Sequence, residues 1–335
     1  MGAGTSSVEE EKSINENLGT IESILFLKDG RLLCSFKKST IKIYDVTKDY
    51  ECVQTINDSS ISPGGICQLD NGDLVFINHL TDLVISSLTP DGLIQEMKIH
   101  KPHHGDPYSY ISTLSTLSDN RVATTGPDGK LKIWDMNKPY QEKKVFENTL
   151  YLRDPPTIDS MYYDRDREIV IISAISEDNL RVFDVKNYKE LDSFYLRGFL
   201  VPLDKNRLLV GGIFRVDVID LETFKTNNLI YNNQLGSITA LIKLNNNNCV
   251  LMENTEKKMF LSNLKDEKFL EISSKPKPKS KLFNLDLNKN NLSEISSKQN
   301  AHINNFIRVN DDTFLSSDLD GIIKIWKDEK FISQK

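Results

Sequence analysis

Cysteine is scarce. The 335 residues hold four, Cys34, Cys52, Cys67 and Cys249, none in a CxxC pair, so neither a disulfide framework nor a paired-thiolate zinc site is indicated. Their scatter suits a reducing compartment, and the cytosol is the expected location. No run of about 18 apolar residues is present, which gives no membrane-spanning helix or secretory core to read. Positive charge is short as well: 42 Lys and Arg against 48 Asp and Glu leave a formal net charge of -6. A nucleic-acid partner, which needs a clustered basic surface, is therefore not expected.

Catalytic signatures are also missing. There is no glycine-rich phosphate loop, nucleophile elbow, HExxH or paired acid and base. Gly211-Gly212 closes an apolar run with no helix after it, so it reads as close backbone packing. No catalytic residue, metal or cofactor is expected, and the chain reads as a non-enzyme. No helix-period segment of useful length breaks the pattern described next.

What the sequence does contain is a repeat. Apolar residues recur three apart, followed by Asp or Asn near a turn and a further apolar residue about eleven positions from the start. The first copy runs Ile21, Ile24, Leu27, Asp29, Leu32, and later copies are Ile66, Leu69, Leu74; Leu114, Leu117, Val122; Met161, Asp164, Ile169; Leu200, Leu203, Leu208; Leu241, Leu244, Cys249; and Phe306, Val309, Phe314. Only Asp164 breaks the apolar rule. After each copy comes a short run alternating with period two, such as Leu131-Lys132-Ile133-Trp134-Asp135, and that alternation specifies a strand. The last position of each copy is separated from the next by about 42, 48, 47, 39, 41 and 65 residues, near the roughly 40 to 45 of a four-stranded propeller blade. The final gap holds an insertion. Asp29-Gly30, Asn71-Gly72, Asp128-Gly129 and Asp320-Gly321 mark tight turns between antiparallel strands.

One such sheet cannot cover both of its faces, and a ring of them can. The expected fold is all-β, a seven-bladed β-propeller of four-stranded antiparallel blades over residues 20–335. Residues 1–19 form an N-terminal arm, and a Lys/Pro/Asn-rich insertion occupies about 266–300. Ring closure has two candidates for the outer strand of the last blade, Ile14 to Leu18 or Phe331-Ile332.

Strands ending Tyr44-Asp45, Trp134-Asp135, Phe183-Asp184 and Trp326 resemble the WD-repeat family. In the third and seventh copies, Thr124, Asp128, Trp134 and Ser316, Asp320, Trp326 match the hydroxyl, turn aspartate and aromatic of that family's hydrogen-bond network. The family's Gly-His pair is missing throughout, which predicts irregular blades. The resemblance implies an interaction scaffold that presents loops to proteins or peptides.

Partner-binding candidates on those loops are Lys37, Lys38, His79, His103, Tyr108, Glu177, Arg215, Lys257 and Asp318. His100, His103, His104 and Asp106 have the makings of a transition-metal site, but their loop-like spacing among prolines reads better as a surface loop. Met1-Gly2-Ala3-Gly4-Thr5-Ser6 fits an N-myristoylation motif, with Gly2 the lipid attachment point and peripheral membrane association the consequence. A single acyl chain binds marginally, so the basic insertion at Lys275, Lys277, Lys279 and Lys281 is the candidate second signal, for a membrane or an acidic partner. The competing reading is a metal-dependent hydrolase with acidic and amide ligands lining a central channel.

Overall fold

The computed structural model describes residues 6–37, 39–57, 63–79, 81–100, 102–103, 110–137, 141–146, 158–174, 179–231, 236–243, 249–254, 259–263, 268–272, 284–285, 303–310 and 313–329. Within them lie seven antiparallel sheets in a β-propeller arrangement, and the one helical element is a 3-10 turn, Val46–Lys48. No helix among the described residues is long and apolar enough to cross a membrane.

Six sheets have four strands, each ordered as in the chain. The first is Ile21–Phe26, Arg31–Phe36, Thr40–Asp45 and Glu51–Asn57; the second Pro63–Gln68, Leu74–Asn78, Asp82–Thr89 and Gly92–His100. The third is Thr113–Thr116, Arg121–Thr125, Leu131–Asp135 and Gln141–Phe146; the fourth Ile158–Asp164, Ile169–Ala174, Asn179–Asp184 and Lys189–Phe194. The fifth is Phe199–Pro202, Arg207–Gly211, Arg215–Asp220 and Thr226–Tyr231; the sixth Ile238–Lys243, Cys249–Asn254, Met259–Asn263 and Lys268–Ile272.

Seven four-stranded blades were expected, and the structure has six. The last sheet has five strands: Ile303–Arg308, Thr313–Asp318 and Ile322–Glu329, then Ser6–Asn15 against Ile322–Glu329, then Asn284–Leu285 on the outer edge. Its fourth strand comes from the chain's beginning and its fifth, which was not expected, from the insertion. Ser6–Asn15 pairs from Ser7 opposite Glu329 to Asn15 opposite Ile322, with an irregularity between Glu10 and Lys12. The N-terminal candidate therefore supplies this strand, beginning earlier than Ile14; Phe331-Ile332 lies outside the described residues. Part of the expected insertion is itself a strand, Lys268–Ile272.

The chain divides into two compact units, Glu22–Leu200 and Met1–Ile21 with Val201–Lys335. In the first, the repeat positions form the packing between neighbouring sheets. Leu27, Leu33, Ile41 and Ile43 meet Ile66, Leu74, Phe76 and Val84; Val75 and Ile85 meet Val122 and Trp134; Ala123 and Ile133 meet Val170 and Phe183. All are buried, and removing such area from water contributes about 25 cal/mol per Å². In the second unit, Gly211 packs tightly on Ile238 and Leu241, where a Cβ would stand 3.2 Å from each.

The turn joining the first two strands explains the third repeat position. Leu27, Leu69, Leu117 and Leu203 each donate their backbone N–H to the carbonyl four residues on, closing the hairpin while the side chain is buried. Gly30 and Gly72 sit there at φ +87° and +96°, backbone that glycine adopts without Cβ cost. At the fourth sheet Asp164 replaces the apolar residue. Its buried carboxylate accepts from the N–H groups of Asp166 and Arg167 and from the Arg167 guanidinium at 2.7 Å, so a capping function replaces an apolar one.

Candidate functional site

The turns joining second to third strands carry most of the expected loop residues, and five of them are described in whole or in part. Their described residues include, in the left-handed region, Ser39 (φ 58°), His79 (50°), Gly129 (68°), Phe214 (60°) and Gly321 (83°). Tight antiparallel connections demand that conformation, and glycine meets the demand at least cost. Gly129 and Gly321 follow the rule. His79 and Phe214 place rings there instead, at roughly 1 kcal/mol or more of backbone cost each. His79 is exposed and Phe214 is 40% exposed. The Phe214 turn is fixed by its N–H donating to Gly236 O at 2.7 Å and by Gly212 N–H donating to Arg215 O at 2.9 Å.

Arg215 forms a fork on Asp217, Nε to Oδ2 and Nη2 to Oδ1 both at 2.5 Å, while Asn228 donates to the same carboxylate. Asp217 is buried, so the outward Arg215 is held by a buried anion. Lys37 is exposed beside Ser39. Lys38, Tyr108, Glu177, Lys257, the four insertion lysines and Gly2 lie outside the described residues.

His103 overturns its expected surface role. Its imidazole is buried, with Nδ1 2.7 Å from Asp128 Oδ1 and Nε2 2.8 Å from Thr124 Oγ1, and Trp134 Nε1–H donates to the same hydroxyl at 2.8 Å. The Asp128 carboxylate accepts the Nδ1 proton, and Nε2 faces the Thr124 hydroxyl, whose oxygen accepts from Trp134. Burial opposes ionisation of Asp128, yet the His103 hydrogen bond, the charge of His103, the Lys130 amide and Lys132 hold its pKa below the ordinary carboxylate value. Gly126 makes room, since a Cβ there would collide with the His103 side chain and the Tyr110 carbonyl. This histidine, in Pro102-His103, stands 21 residues before Thr124. Sequence reasoning missed it because no glycine precedes it and prolines flank its loop.

Of the candidate metal ligands, His104 and Asp106 lie outside the described residues, and His100 and His103 turn to different partners. His100 Nδ1 turns to Asp82 Oδ1 at 2.6 Å, with Lys98 Nζ 2.6 Å from Asp82 Oδ2, whereas His103 turns to Asp128. Among the described residues no group of three or more potential metal ligands comes together.

Asp318 also differs from expectation. It is fully buried, not presented: Oδ1 accepts from Asp320 N–H at 3.0 Å and Ile322 N–H at 2.9 Å, and Oδ2 has no hydrogen-bond partner among the described residues. Burial pushes its pKa above the ordinary carboxylate value, the backbone amides of Ile322 and Asp320 work against this, and the neighbouring Asp320 charge adds to it. The exposed groups of that turn are Leu319, 45% exposed, and Asp320. As in the third sheet, Trp326 Nε1–H donates to a strand hydroxyl, Ser316 Oγ, at 2.9 Å. Neither a protein-family model nor a curated protein sequence matches the chain.

Proposed function

We propose that this protein is a non-catalytic interaction scaffold, a divergent propeller of the WD-repeat kind that recognises a protein or peptide through its second-to-third-strand turns. The observation that carries the reading is His79 and Phe214. Each keeps a ring at a left-handed position where glycine is cheaper, and each exposes it. Backbone cost combined with exposed apolar or aromatic surface is characteristic of residues retained for contact. The sheets beneath hold the turns in place, so little ordering entropy is lost on binding. The Trp134-Thr124-His103-Asp128 relay supports the WD-repeat assignment, since it joins the hydroxyl, aspartate and aromatic that suggested the family to a histidine.

The proposal extends to location. An acyl group on Gly2 would sit toward the Ser6 end of its strand, which pairs near Glu329, while the turn of that sheet adjoins Ile322 at the other end. Membrane attachment would leave the turn clear in the cytoplasm.

Affinity purification from source cells tests the central reading. A stoichiometric protein bound to the wild type and lost from a His79→Gly, Phe214→Gly double variant of unchanged thermal stability is expected. Equal recovery by both would refute it.

A further inference from the structure

The turn end of the second sheet sets two basic side chains on one buried carboxylate. Asp82 opens the third strand of that sheet, directly after the turn that exposes His79. Lys98 Nζ stands 2.6 Å from its Oδ2 and His100 Nδ1 2.6 Å from its Oδ1. Strand register brings them together: His100 on the outer strand pairs with Asp82, and Lys98, two residues earlier, shares the same strand face. The Lys98 and His100 side chains are 41% and 67% exposed, and that of Asp82 is 5% exposed. The negative group therefore lies inward and both bases lie outward. A buried carboxylate needs one cation to compensate it, so the balance of charge within the sheet accounts for either base but not for both. With Nδ1 engaged by Asp82, the exposed His100 ring presents Nε2.

We propose that Lys98 and His100 receive a carboxylate side chain, glutamate or aspartate, from a protein partner, beside the surface that His79 contributes. This rests on the reading of the turns as a recognition surface and names the chemistry of the second sheet's share of it. The partner's carboxylate accepts from Lys98 Nζ, whose ammonium has further N–H groups besides the one turned to Asp82, and from His100 Nε2–H, the ring donating from both nitrogens between two carboxylates. A basic partner residue is disfavoured at this place, because it would meet the two exposed bases before the carboxylate behind them.

The probes are peptides selected on the wild-type protein from a phage-displayed random library, then synthesised with a fluorophore and measured by fluorescence polarisation. Enriched sequences are expected to carry Glu or Asp, and added salt should weaken their binding. Lys98→Gln and His100→Gln, made singly so that Asp82 always keeps one base, should each weaken an acidic peptide about five-fold with little change in the thermal midpoint. Exchanging the peptide's carboxylate for an amide should cost the wild type as much and add little in the Lys98→Gln protein, as coupling between the two requires. Neutral or basic enriched peptides, or acidic ones indifferent to both substitutions, would overturn this assignment; if those peptides lose affinity on His79→Gly or Phe214→Gly, the recognition reading stands without it. A library yielding no binders would count against both.

Discussion

Two histidine-aspartate pairs of nearly equal length test whether burial, and not contact distance, decides what such a pair contributes. His103 lies 2.7 Å from Asp128 with its side chain fully buried; His100 lies 2.6 Å from Asp82 with its side chain 67% exposed. His103→Ala leaves the Asp128 carboxylate, itself nearly buried, without its strongest donor, and takes away the acceptor or donor that Thr124 faces. Removing one partner from a buried, hydrogen-bonded charged pair costs about 3–5 kcal/mol. At roughly 2–4 °C per kcal/mol for a larger domain, the thermal midpoint should fall by about 10 °C. His100→Ala breaks a solvent-screened contact, and Asp82 keeps Lys98 at 2.6 Å, so the cost should stay under about 1 kcal/mol. Urea unfolding and differential scanning calorimetry on both variants give the comparison. Equal losses, or a His103→Ala loss under about 1 kcal/mol, would refute the relay as a stabilising element.

Gly126→Ala should destabilise the wild type by several kcal/mol, by displacing His103, and should cost much less in a His103→Ala background, where only the Tyr110 carbonyl still crowds the Cβ; calorimetry on the four proteins measures the coupling. Asp128 has a depressed folded pKa, so its contribution is present above its unfolded pKa near 4 and is lost as pH falls through the lower folded value; Asp128→Asn should thus narrow its stability deficit on acidification, measured as midpoint against pH. Asp318 has the opposite sign. Its raised folded pKa makes ionisation a penalty that grows as pH rises from about 4 through the folded value, so Asp318→Asn should raise the midpoint at pH 7 and lose that gain near pH 4. Deleting residues 6–15 should uncover the long edge of Ile322–Glu329, and size-exclusion chromatography should show aggregation at concentrations where the full chain is dispersed.

Much of this architecture could be read from periodicity. Alternation in Leu131–Asp135 gave a strand, and the apolar spacing gave the turn-closing Leu27, Leu69, Leu117 and Leu203, because a buried hairpin end tolerates few side chains. The strand count of the last sheet was less legible. Ser6–Asn15 joins a strand more than 300 residues away, and its composition, three glutamates among ten residues, carries no apolar period to announce it. The site was legible only as a set of turns. His103 and Asp318 were placed on the surface because polar residues between strands usually lie there, and whether such a group is buried depends on a partner from another element, Thr124 and Asp128 for one, backbone amides for the other. Left-handed backbone at His79 and Phe214 leaves no trace in residue type at all, since an Asn or Gly is what sequence reading looks for in such a turn.

Site-specific photocrosslinking inside the source cells tests the scaffold claim most directly. A photoreactive amino acid is placed in turn at positions 79 and 214, and at positions 53 and 94 on exposed outer strands as controls. The turn positions should each yield a discrete covalent protein adduct, and the outer positions none. Adducts confined to the outer strands, or absent from both turns while the protein is folded and expressed, would contradict recognition by the turns.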